Sequence, residues 1–189
     1  LFYLSKVRGF KAKTIQMLDP WVSTEYLNWF FLPIKIHGEI QYWIRRTIQT
    51  HERYKYQSAK SEPTQIRKQH ILWGFDNILE NKPLVLCEGI FSSASIIEHT
   101  LIPSVAILGK SLSQFQRDLI LLKLLPVKEG KKVKAEVVVM LDGRSKDSNT
   151  VKSSKRISEQ LSDFVKVRIV RLPDEQDPNE LGKEVVNYV

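Results

Sequence analysis

The 189-residue chain holds a single cysteine, Cys87, so it can form neither an internal disulfide nor a zinc site built from several thiolates. No structural zinc is therefore expected within these residues. Cys87 lies in the apolar run 84–87, where a small buried hydrophobe is a better reading than a nucleophile. Long apolar runs are also missing. The run 137–141 falls far short of the ~20 residues that span a bilayer, so no membrane partner is expected. No charged-then-apolar leader opens the chain, and nothing points to export. Neither a repeat nor a low-complexity tract interrupts it. The chain does not start with Met, which suggests a piece of a longer protein.

What is present is ordinary in amount and uneven in placement. Hydrophobic residues make up 42% and charged residues 26%, as in common globular domains, with room for one domain or two small ones. The net charge is +8. Residues 1–83 carry 13 Lys and Arg against 7 Asp and Glu, a balance of +6, whereas residues 84–189 carry 16 against 14, a balance of +2. A basic first half beside a nearly neutral second half fits an anionic polymer lying on the first, or simply a well-solvated lysine-rich surface.

The pattern of elements also changes near residue 83. Before it, the chain reads as α+β. A short helix is expected near 11–18, closed by Asp19-Pro20. A hairpin follows over 27–44, turning at His37-Gly38. Residues 51–69 are polar and basic, with Tyr54 and Tyr56 interleaved, and read as surface rather than core. After Lys82-Pro83, apolar strands at 84–87, 104–108, 136–141 and 166–171 alternate with helices near 92–99, 111–124, 149–164 and beyond Pro178. Such alternation predicts a parallel sheet flanked by helices. A division into 1–83 and 84–189 follows.

Ligands of parallel sheets gather at the carboxyl ends of the strands, and acids stand at three of these ends: Glu88, Asp142 and Asp177. They suit a hard cation such as Mg²⁺, which takes oxygen ligands and shares its shell with phosphates. They equally suit ordinary strand-end and helix-capping roles, and spacing alone leaves both open.

Longer motifs narrow the choice. Leu84-Val85-Leu86-Cys87-Glu88-Gly89, then Ala106-Ile107-Leu108-Gly109-Lys110, Leu141-Asp142-Gly143 and Asp177-Pro178-Asn179-Glu180-Leu181 resemble, in order, the motifs of a Toprim domain. Upstream, Arg8-Gly9-Phe10, Leu32-Pro33-Ile34, Tyr42-Trp43-Ile44-Arg45-Arg46, Lys55-Tyr56, Lys68 and Leu72-Trp73-Gly74 resemble the segment that precedes Toprim in bacterial-type (DnaG-like) DNA primases. The resemblance covers nearly the whole chain and implies a Rossmann-like α/β Toprim domain preceded by a smaller basic α+β subdomain. It implies synthesis of short RNA primers on single-stranded DNA, with Mg²⁺ or Mn²⁺ as cofactor. Nucleoside triphosphates and a replicative helicase are the implied partners, and the cytoplasm (that of the host, for a phage protein) the implied location.

Carried over position by position, the family places catalysis and metal on Glu88 and Asp142, with Asp177 a further ligand. Template and nucleotide fall on Arg8, Arg46, Lys55 and Lys68, with Arg45 and Arg53 adding to the same basic surface. Tyr54, Tyr56 and Trp73 have rings that can stack on bases, Trp73 being better suited to the core. The motifs also depart from the family. Ser92 and Arg144 stand where primases carry Asp, and Asn179 replaces an acid, while Asp147 is a substitute from a nearby loop. The stretch 142–152 is closer to divergent phage primases. Two outcomes stay open: one cation held by fewer carboxylates, or a module that binds nucleic acid without polymerizing. A Toprim nuclease or topoisomerase-like enzyme is the remaining alternative.

Overall fold

The computed structural model describes residues 2–49, 55–58, 66–80, 82–125, 135–143 and 149–189. A π-helical turn, Tyr3–Val7, opens the chain, and α1 (Ala12–Leu18) follows. Asp19 stops α1 in the left-handed conformation, φ 46°, ahead of Pro20, which cannot continue a helix. Four antiparallel strands then form one sheet in the order β1 (Trp21–Val22), β2 (Trp29–Ile36), β3 (Glu39–Thr47), β4 (Tyr56–Ser58).

The β2–β3 hairpin turns at His37 and Gly38, both at positive φ (55° and 77°), as a two-residue hairpin turn requires. The Asp76 carboxylate accepts both turn amides, at 2.8 and 2.9 Å, which offsets the strain of a non-glycine residue at His37. Strand β4 lies inside the segment expected to be surface only. Three residues are too few to show a period, and pairing with β3 is what makes it a strand.

The second sheet is parallel throughout, in the order β6 (Ser104–Ala106), β5 (Leu84–Cys87), β7 (Glu136–Val139), β8 (Lys166–Ile169). Helices α2 (Ile90–Thr100), α3 (Gln114–Leu124), α4 (Asn149–Leu161) and α5 (Pro178–Leu181) accompany it. All four residues of β5 are buried, as continuous apolar strands are when helices cover both faces. From β5 the chain moves outward to β6 on one side and later to β7 on the other, so the sheet has its topological switch point between β5 and β7.

The two halves are joined. Trp73 bridges to Ala106 on the edge strand β6 through two backbone hydrogen bonds, 3.0 and 3.2 Å, and its side chain is buried. One apolar cluster unites Leu32, Ile34 and Ile44 of the first sheet with Phe91, Ala94 and Leu108 of the second unit. The change at residue 83 thus marks a change of sheet, with a shared core across it. Among the described residues, no helix is long and apolar enough to cross a membrane.

Candidate active-site cleft

Strand ends supply the acids. Glu88 follows β5 directly, and its Oε2 is buried without a hydrogen-bond partner. Burial pushes its carboxyl above the usual range, and Lys110 and Lys68 pull it back. Asp142 lies three residues beyond β7, whose ladder continues through the Met140 amide to Leu86, 2.9 Å. Its carboxyl is pushed up to about 7, first by burial and then by the charges of Glu88 and Asp177. Ser92 donates to Asp142 Oδ1 at 3.4 Å, a long contact that opposes this shift only in part. Two half-buried carboxyls pushed upward beside further negative charge, in one cleft, mark this as a candidate functional site.

Asp177 lines the same cleft and also caps a helix. Its Oδ1 accepts the amides of Asn179 and Glu180, at 2.8 and 2.9 Å, while Glu180 Oε2 accepts the Asp177 amide. This reciprocal cap holds the start of α5. Among the described residues, no three His, Cys, Asp or Glu side chains gather closely enough to hold a metal by themselves. The donors still fit a hard cation. Two protein carboxylates suffice when phosphates complete the shell, and Glu88 offers an oxygen that nothing in the described fold satisfies.

Gly143 lets the 173–176 loop pack closely beside Asp142. Its amide donates to Gln176 O at 2.7 Å, and a Cβ there would lie 1.9 Å from Pro173 O. Gly143→Ala must push the 173–176 loop aside. A loss of about 3 kcal/mol, at the upper end for overpacking, is expected in thermal or urea unfolding.

The opposite wall is basic. Arg8, Arg46, Lys55 and Lys68 line the same cleft of about 380 Å³ as Glu88, Asp142 and Asp177. Arg46 is only 6% exposed. Its guanidinium lies 4.3 Å from the Tyr56 ring centroid and donates to Tyr3 Oη at 3.0 Å, while its Nε has no partner. Arg8 shares the Tyr3 hydroxyl (3.0 Å), packs over the Phe91 ring and donates to Asn179 Oδ1 at 3.2 Å. Asn179, in place of the acid that the resemblance implied, returns a bond to Arg8 O at 3.3 Å. Lys68 reaches over Gly109, with Nζ 3.6 Å from the position a Cβ would take. Buried Gln116 ties the segment leading from Lys68 to the second sheet, its amide donating to Ile71 O at 2.7 Å and Ile107 O at 3.0 Å.

Arg45 is not in this cleft. Successive strand residues face opposite sides, so on β3 Arg46 points inward and Arg45 outward, where it bonds Gln57 at 2.9 Å. Trp73 is core rather than a stacking ring, and Tyr56 lines the cleft. Arg53, Tyr54, Arg144 and Asp147 lie outside the described residues. Tyr3, Phe91, Lys110 and Gln116 were not foreseen. Only Gln116 left a local trace, since Ser113 and Gln116 have capping-box spacing and form that box.

No protein-family model matches the sequence, and no curated protein matches it. Solved structures do. The zinc-binding and RNA-polymerase domains of Aquifex aeolicus primase superpose with a TM-score of 0.74 at 24% identity, over 96% of this chain and 51% of that one. The E. coli primase catalytic core gives 0.72 at 19% identity, over 98% and 70%. The DnaG primase catalytic domain bound to single-stranded DNA gives 0.66 at 20%, over 98% and 61%. The chain therefore has the fold of the bacterial DNA primase catalytic core, in a form of widely divergent sequence. It spans about half the length of the Aquifex chain.

Proposed function

We propose that this chain is the polymerizing core of a DNA primase of divergent, phage-like type, with residues 84–189 forming a Toprim domain and residues 1–83 a template- and nucleotide-binding subdomain. The observation that carries the reading is the single cleft in which four cations face Glu88 and Asp142. Nucleotidyl transfer needs this pairing, with cations for phosphate and carboxylates for metal. Similarity to the DnaG domain solved with single-stranded DNA supports single-stranded DNA as template.

In this reading, Glu88 and Asp142 would hold Mg²⁺ or Mn²⁺, which would supply charge neutralisation at phosphate and lower the pKa of a bound hydroxyl. Arg46 and Arg8, fixed by Tyr3 and by the Phe91 ring, present guanidinium donors to the triphosphate with little rotamer freedom left to lose. Lys55 and Lys68 neutralise further phosphates. Ile44 and Leu108 add apolar surface to the cleft. The 3′-hydroxyl of one nucleotide attacks the α-phosphorus of the next, the bond to the β-phosphate breaks, and pyrophosphate leaves. A replicative helicase is the partner this role implies.

Incubation with single-stranded DNA, labelled ribonucleotides and Mg²⁺ or Mn²⁺ tests the proposal, with dinucleotides and short oligomers expected. DNA cleavage without synthesis would instead indicate the nuclease class. Binding without either product would indicate a non-catalytic module.

Two solution properties follow. A metal must displace the proton on Asp142, whose carboxyl titrates at about 7. Calorimetric titration with Mn²⁺ should therefore show affinity about tenfold weaker at pH 6 than at pH 8. Four phosphate contacts give a salt slope of about −3 for single strands, so affinity for oligothymidylate should fall about 50-fold between 50 and 200 mM salt. Lys55→Gln should reduce that slope by about 0.7.

A further inference from the structure

An antiparallel sheet with one face on the core normally turns polar residues to water on the other. The first sheet does not. Its inner face sends Leu32, Ile34 and Ile44 into the core, whereas its outer face carries Trp29 and Phe31 on β2, Trp43 and Arg45 on β3, and Trp21 on β1 opposite Phe31. Three of the chain's four tryptophans therefore lie on one solvent-facing surface. Tyr26, from the β1–β2 connection, joins them edge-on to Phe31, and Phe31 meets Trp43 with ring centroids 5.1 Å apart. Trp21 and Tyr26 are 46% and 44% exposed. The Arg45 guanidinium lies 4.9 Å from the Tyr26 ring and 4.8 Å from the Trp29 ring, braced by Gln57 on β4.

We propose that this outer face is a second binding surface for single-stranded DNA, separate from the cleft. Splayed bases stack on the exposed rings, and Arg45 takes a backbone phosphate. Flat aromatic faces interleaved with a cation are the equipment of sequence-tolerant single-strand platforms. Duplex DNA keeps its bases stacked internally and leaves such rings unused. Charge complementarity favours a polyanion over an apolar protein segment, because the Arg45 guanidinium sits among the rings. Adjacent residues of β3 thus serve opposite sides of one sheet, Arg46 the cleft and Arg45 the platform. The surface extends the reading of the chain as a template-bound polymerase but does not depend on catalysis.

The test titrates the intact chain with dT16, rU16 and duplex DNA, following tryptophan emission and fluorescence anisotropy at fixed salt. The wild type should be quenched by dT16 and not by duplex. The double variant Trp21→Leu/Trp29→Leu should bind dT16 roughly tenfold or more weakly, with Mn²⁺ binding in the cleft unchanged. Should that variant fail to fold by circular dichroism, Arg45→Gln, which keeps every ring, should still lose at least threefold in dT16 affinity. Wild-type affinity in a folded variant overturns the proposal, as does a response to rU16 alone. A wild-type dimer in sedimentation, abolished in the double variant while dT16 binding persists, overturns it by reassigning the face to protein contact. A chain that makes no primers yet loses dT16 binding on ring removal would sink the polymerase reading and leave this surface standing.

Discussion

Glu88→Gln is expected to lower primer synthesis by roughly 10³-fold while leaving the fold and single-stranded DNA binding in place. The substitution preserves shape and removes only the charge of an oxygen that is buried without a partner. A metal-bound charge stabilises transfer by several kcal/mol, and about 4 kcal/mol corresponds to that fold-change. Binding should persist because the groups proposed for it, the cations of the cleft and the rings of the outer face, are left in place. Product formation and oligothymidylate affinity, measured on the same preparation, check both halves of the expectation. Equal activity in wild type and variant would remove Glu88 from the chemistry.

Asp142→Asn should make the metal-free protein more stable at pH 8, by about 2–4 kcal/mol, and abolish its response to Mn²⁺. The folded state holds the Asp142 proton up to about pH 7, whereas an unfolded Asp releases it near 4. Between these values the native state binds more protons than the unfolded state, so stability falls as pH rises through this window and levels off above 7. The cause is burial beside Glu88 and Asp177. Asn has no charge to desolvate, so the variant's stability should fall less over the same range, leaving the smaller contribution of buried Glu88. Urea unfolding at pH 5 and pH 8, with and without Mn²⁺, measures the difference. The largest gap between the two proteins should appear at pH 8 without metal, and Mn²⁺ should narrow it. A residue that destabilises its own fold in order to bind a ligand is a familiar trade at active sites.

Much of the parallel sheet was legible because each strand is a short apolar run bounded by turn residues and separated by a helical stretch. All four strands and the helices between them lie where periodicity placed them, with ends shifted by a few residues. The hairpin at His37-Gly38 was legible for the same reason. Strand β4 was not, since nothing local in Tyr56–Ser58 distinguishes an edge strand from a polar loop until β3 lies beside it. The acids at strand ends could be found from the chain, but not the division of labour among them. Asp177 becomes a helix cap because the amides of Asn179 and Glu180 close on it. Arg45 and Arg46 read as equivalent neighbours, and pleating sends them to opposite faces.

The sequence by itself determined the two-part architecture, the sign of charge in each half, and the placing of Glu88 and Asp142 at strand ends, because these depend on periodicity and composition along a short stretch of chain. Only the tertiary structure decided what those groups face. Tyr3 and Phe91, 88 residues apart, meet around Arg8 and Arg46 because α2 packs against the inner face of the first sheet. Three tryptophans on separate strands become one surface only when the strands pair. A local pattern can specify which side of an element is apolar, but contacts between distant elements depend on which surfaces the folded core brings together.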